Sequence, residues 1–158
     1  MIKPYNRRSA VAYAHKWALG ANPDFYHFGG IGGDCTNFIS QCLLAGGGEM
    51  IEKPNGWFYV SKDYRSPSWT SVEALQNFLL DQNEGLVASI SDISSLEEGD
   101  IVQLRQNKDR FNHTLIITKK LGSEIYVCAH SNDALDKNLN EYYYIERIGL
   151  HIECIKSK

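Results

Sequence analysis

The chain has 158 residues, 16 Lys and Arg against 19 Asp and Glu, a formal net charge of -3, and 43% hydrophobic residues. These totals suit one domain, 1–158, that buries roughly two-thirds of its unfolded surface, and they carry no electrostatic bias towards nucleic acid. No apolar run reaches the ~20 residues of a membrane span, and Met1–Arg8 lacks the apolar core of a signal peptide. Localisation therefore stays open between the cytoplasm, export by another route, and a piece of a longer exported product.

Asn6 is placed to cap a first helix through about Leu19, with Ala10, Val11, Ala14, Trp17 and Ala18 as its apolar face. Gly20-Ala21-Asn22-Pro23 ends it. A glycine-rich turn after Phe25 then runs into Asp34-Cys35-Thr36, where a second helical pattern begins. Cys35, Phe38, Ile39, Cys42 and Leu43 follow the spacing of one buried helix face, and Gly46-Gly47-Gly48 stops it. From Glu49 to Pro67 the pattern is irregular. Trp57, Phe58, Tyr59 and Tyr64 there suit either a groove lining or a satellite core. Thr70-Ser71-Val72-Glu73 fits a capping box for a helix as far as Leu80.

The remainder is strand-like: Leu86–Ala88, Ile101–Leu104, Thr114–Thr118, Ile125–Ala129, Tyr143 onwards, and His151–Ile155. Helices first and strands last predict an α+β domain with an antiparallel sheet. The four cysteines, at 35, 42, 128 and 154, contain no C-x-x-C pair. That argues against a disulfide framework and a structural zinc site, with a Cys128–Cys154 bridge the one pairing to weigh.

Cys35 stands at the start of a buried helix, where the dipole and unpaired N–H groups favour a thiolate. A nucleophile needs a base, and the base needs an orienting partner. His15 and His151 fall within ordinary elements and read as structural or surface residues. His113 begins one strand and His130 ends the next. Pairing them centres the turn between Leu121 and Gly122, which predicts a hairpin whose two imidazoles project together. Alternation adds Asn132 to that face and leaves Ser131 on the other. The expected mechanism is that of a thiol hydrolase. Cys35 attacks a carbonyl, His113 is base and then acid, and His130 holds the far nitrogen of His113; Asn132 takes that place if the register slips by two. Backbone N–H groups at the helix start, that of Cys35 included, face the oxyanion. The same side chains are also a candidate set of metal ligands, which a Gly-Asp-Cys turn into a helix suits less well than a nucleophile.

At these residues the chain resembles the papain-like NlpC and CHAP superfamily of cell-wall peptidases and amidases, and within it a bacterial amidase-like domain family. Tyr26-His27-Phe28-Gly29-Gly30 resembles the approach to the nucleophile, and Gly33-Asp34-Cys35-Thr36 the nucleophile motif. Leu96–Val102 resembles the Gly-Asp strand start, His113–Ile117 the histidine strand, and Ala129-His130-Ser131-Asn132 the position of the third polar residue. Asn37, Trp69-Thr70 and Ser131-Asn132-Asp133 favour the amidase-like family. The resemblance implies a papain-like fold, no cofactor or metal, and hydrolysis of an amide in peptidoglycan or a related peptide. It also implies a hydroxyl from Tyr26 beside Cys35 and an Asp34 carboxylate that meets a substrate amine. Thr36-Asn37 departs from the Ser-Gly usual in NlpC relatives, so substrate contacts at the helix start are expected to differ. Acyl transfer to an amine on the same fold, and a non-catalytic binding module, are the alternatives.

Overall fold

The computed structural model describes residues 1–29, 33–81 and 83–157. The first helix begins where its capping residue predicts: Asn6 Oδ1 accepts the Ser9 N–H at 3.0 Å, and α1 spans Arg7–Trp17. The second, α2, spans Cys35–Ala45 and ends at Gly46 and Gly47, the latter at φ 101°. The pattern predicts one buried face, but α2 is buried all round from Cys35 to Leu43. Its polar side chains are bonded accordingly. Ser40 Oγ donates to the Trp69 carbonyl and accepts the Trp57 Nε1–H, while Gln41 Oε1 accepts the Tyr13 hydroxyl at 2.5 Å.

Trp57 and Trp69 pack against this helix, so the aromatic stretch before Pro67 is mainly core. It includes a two-stranded ribbon, β2 (Tyr59–Ser61) with β3 (Tyr64–Arg65), and a short helix α3 (Pro67–Thr70). The expected capping box does not form. Thr70 ends α3 and bonds Arg65, and Ser71 Oγ caps α4 (Val72–Asp81) through the Ala74 N–H.

Among the described residues a seven-stranded sheet completes the fold. Its strands are β1 (Ile2–Lys3), β4 (Gly85–Ser91), β5 (Ile101–Arg105), β6 (His113–Leu121), β7 (Glu124–Ala129), β8 (Ala134–Asn138) and β9 (Glu146–Lys156). The path is β1-β9-β5-β6-β7-β8, with β4 on β9, and every pairing is antiparallel. The two strands expected at the C-terminus merge into one, β9, which starts only at Glu146 and leaves Tyr143–Ile145 outside it. Strand β8 is additional, because Ala-Leu-Asp-Lys-Asn has no apolar alternation.

Side-chain alternation divides the core in two. Ile116 and Cys128 face the helices with Phe38, Ile39, Leu43 and both buried tryptophans, while Leu115, Ile117 and Val127 form the second cluster. The β6–β7 register departs from the expected one. Ile116 opposes Cys128, a bulge lies between Ile117 and Lys119, and the turn is Gly122-Ser123 with Gly122 at φ 60°. A one-residue slip reverses the face of every side chain. His130 therefore falls on the helix side and stacks on Phe38 at 4.0 Å, whereas His113 rests against Tyr142 at 5.9 Å. The two imidazoles do not project together. All four cysteines are free, Cys128 and Cys154 included. No described helix is long and apolar enough to cross a membrane.

Candidate active site

Asp34 organises the approach to Cys35. Its carboxylate is buried and fully engaged: Oδ1 accepts the Phe28 N–H and the Asn37 side-chain amide, each at 2.8 Å, and Oδ2 pairs with His130 Nδ1 at 2.6 Å. The other His130 nitrogen donates to the Trp17 carbonyl at the end of α1, at 2.8 Å. Burial opposes the charge on both members, but the bonds prevail. His130 is held above the usual imidazole range by Asp34 and Trp17, and Asp34 below the usual carboxylate range by His130, Phe28 and Asn37. Asn37 extends the network, accepting the Trp69 indole N–H at 2.8 Å and donating to the Tyr26 carbonyl at 2.9 Å. The Asp34 N–H donates to Ser131 Oγ at 2.6 Å, so Ser131 turns towards the loop before Cys35. Gly33, at φ 102°, lies against that hydroxyl.

Cys35 and His113 line one cleft beside this anchor. Thr36 Oγ1 bonds Thr114 Oγ1 at 2.9 Å, which fastens the start of α2 to the start of β6. Cys35 and His113 then line one cleft of about 410 Å³, together with Asn112, Asn132, Lys137 and Tyr142. The Cys35 sulfur lies 3.7 Å from Thr36 Oγ1 and 4.0 Å from the Asn112 carbonyl. Burial pushes the thiol up, against the N–H groups of Thr114 and Thr36 that stabilise a thiolate. The thiolate expected at the helix start is thus disfavoured at rest, because desolvation outweighs those donors. Burial, with the nearby Lys137 charge, lowers His113 to about 4, and its ring makes no hydrogen bond among the described residues. The resting pair is a neutral thiol and a neutral imidazole.

Several expected roles change. His130 cannot hold the far nitrogen of His113, since both its nitrogens are bonded elsewhere. Asp34 is not free for a substrate amine, because its carboxylate is sealed within the protein. Tyr26 is partly exposed; its ring packs on Phe28 at 4.8 Å and under Lys62, with no described contact to Cys35. Thr36 serves as the buried link to β6. Asn132, at φ 71°, does open into the cleft. Gly30, the last residue of the glycine pair, lies outside the described residues. The sequence reading missed Lys137 and Tyr142, for which the sequence carries no signal, and Asn112, whose place directly before His113 could have flagged it. His27, Asp34 and His130 bring three metal-ligating atoms together, but the Asp34 and Trp17 bonds already occupy His130.

Fold and cleft together define an α+β protein in which a helix-terminal thiol and a buried imidazole share one opening. A family model described as "Putative amidase domain" matches residues 4–152, and the chain belongs to that family. It is 38% identical over 121 residues to the uncharacterized protein YhbB of Bacillus subtilis (strain 168), covering 73% of this chain and 38% of that protein. It is 29% identical over 144 residues to the uncharacterized protein YjcM of the same organism, covering 85% of this chain and 33% of that one. The chain thus spans about a third of the length of each relative. No solved structure matches it.

Proposed function

We propose that the chain is a cysteine-dependent amide hydrolase with a papain-like fold of the NlpC and CHAP type, acting on peptidoglycan or a related peptide. The amidase family supports the reaction class. The observation that carries the reading is the cleft shared by Cys35 and His113, whose ring has no hydrogen-bond partner among the described residues and which burial holds towards the neutral form. A neutral imidazole is the form able to take a proton.

His113 removes the Cys35 proton as sulfur bonds to the carbonyl carbon. The leaving amine then departs with that proton, which leaves a thioester. Water attacks next, His113 takes its proton, and the C–S bond breaks to free the acid and the thiol. Asp34, a residue type that commonly caps helices, makes no side-chain cap here because its carboxylate faces His130, Phe28 and Asn37. Among the described residues no side-chain cap covers the start of α2, which leaves the Cys35 N–H for an oxyanion. His130 acts through Asp34 as a positioning residue, and Asn132, which lines the cleft, takes the orienting role.

The test is a digest of purified muropeptides followed by mass spectrometry. The protein should release new amino groups and Cys35→Ala should release none. Failure of the parent protein on several wall types would reject the substrate class, and full activity in Cys35→Ala would reject the nucleophile.

A further inference from the structure

Away from the cleft, α1, β7 and β8 bring a thiol, an imidazole and a carboxylate together. His15 in the last turn of α1, Cys128 on β7 and Asp136 on β8 place their ligand atoms within 4.8 Å of one another. His15 Nε2 lies 2.9 Å from Asp136 Oδ1, and Cys128 Sγ lies 4.0 Å from the same oxygen. Ligands at zinc distances of about 2.0–2.3 Å in a tetrahedral set stand roughly 3.2–3.6 Å apart, so the two separations bracket that arrangement. Thr118 Oγ1 donates to Asp136 Oδ1 at 2.6 Å, the kind of outer bond that aims a ligating carboxylate. Asp136 itself sits at φ 48°, a left-handed conformation that is costly for a residue other than glycine.

We propose that His15, Cys128 and Asp136 form a binding site for a divalent cation of zinc type, with its fourth position open to solvent. The mixed N, S and O set suits zinc and excludes the hard cations, which take oxygen alone. Two other clusters lack that chemistry. His130 is saturated in one, and in the other Asp100 is bound by Arg7, His151 and the Ile152 N–H. Binding displaces the Cys128 proton, forms Zn–S, Zn–N and Zn–O bonds, and changes no oxidation state. The ion would clamp α1 to the β7–β8 pair two residues before Trp17, whose carbonyl holds His130.

The chain, stripped with a chelator, is titrated with cobalt(II) and then zinc(II), and bound metal is measured by mass spectrometry. One equivalent is expected, with a thiolate-to-cobalt charge-transfer band and the intense visible bands of tetrahedral cobalt. Cys128→Ser removes the charge-transfer band and Cys35→Ser retains it. His15→Ala, at an exposed side chain, weakens binding about 10-fold or more and serves if Cys128→Ser does not fold. No band in the parent protein, or a band that survives Cys128→Ser or is lost in Cys35→Ser, overturns the proposal.

Discussion

His130, bonded to Asp34, and His113, which shares a cleft with Cys35, occupy opposite environments. His130 is saturated: a carboxylate on one nitrogen, a carbonyl on the other and Phe38 against its face. His113 is as well buried but has no bonding partner among the described residues, and a cation lies near it. Burial acts on both in the same direction, and the bonds decide the result. One imidazole is held towards the charged form and the other towards the neutral form. A saturated ring can fix a loop but has no nitrogen left for chemistry. An unbonded neutral ring adds little to stability and is free to accept a proton.

Substitution should separate these roles, with the largest effects first. His113→Ala is expected to lower amide hydrolysis by about 10²–10⁴-fold, the usual contribution of a general base, with thermal unfolding little changed. His130→Ala leaves the Asp34 carboxylate buried without its partner, and should cost about 3–5 kcal/mol of unfolding free energy. Denaturant melts and initial rates measured on both variants check the pair. If His130→Ala is stable but inactive, or His113→Ala is unfolded but active, the assignment is reversed.

The pH dependence of stability sharpens the same contrast. Folding lowers His113 from about 6.5 to about 4. The unfolded chain therefore binds more protons between those values, and stability falls by about 3 kcal/mol as pH drops from 6.5 to 4. His130 has the opposite sign. Its raised value gives stability that is complete below pH 6.5 and fades as pH rises through the folded value. Asp34, lowered in the fold, loses its contribution only below the range in which His113 has already acted. Denaturant midpoints across pH 4–8 should show the acid-side slope flattened in His113→Gln and the alkaline-side slope flattened in His130→Gln. An unchanged acid slope in His113→Gln would mean that the ring is not held neutral by the fold.

Much of the architecture is legible in the chain because it rests on local chemistry. Asn6, the apolar spacing after Cys35 and the glycines after Ala45 each act within a turn or two. The site is less legible because it depends on register. A regular hairpin puts His130 on the face of His113; the bulge between Ile117 and Lys119 shifts the pairing beyond it by one residue and turns His130 to Asp34 instead. Likewise, an acidic residue before a nucleophile looks available for substrate until its partners are known, and those come from Phe28, Asn37 and His130. Desolvation of Cys35 is equally absent from the local sequence. It requires the closure of β6 over α2, which the Thr36–Thr114 bond brings about. The Cys42 reading survives because burial on a helix face follows from spacing alone.

The smallest expected effect concerns what keeps His113 neutral. Burial is the main cause, and the Lys137 charge adds to it from the wall of the same cleft. Lys137 lies over the Tyr142 ring at 4.3 Å, and that ring in turn borders His113. Lys137→Met keeps most of the apolar stem and removes the charge, so protonation of His113 becomes easier. The acid limb of kcat/KM should then move to higher pH, while the plateau rate above it stays close to that of the parent. Burial, which the substitution leaves in place, still holds His113 below the ordinary imidazole range, so the limb should not reach it. An unmoved limb would assign the neutrality of His113 to desolvation alone. A lowered plateau would show instead that Lys137 contacts the substrate, and the cation would then belong with specificity rather than with the tuning of the base.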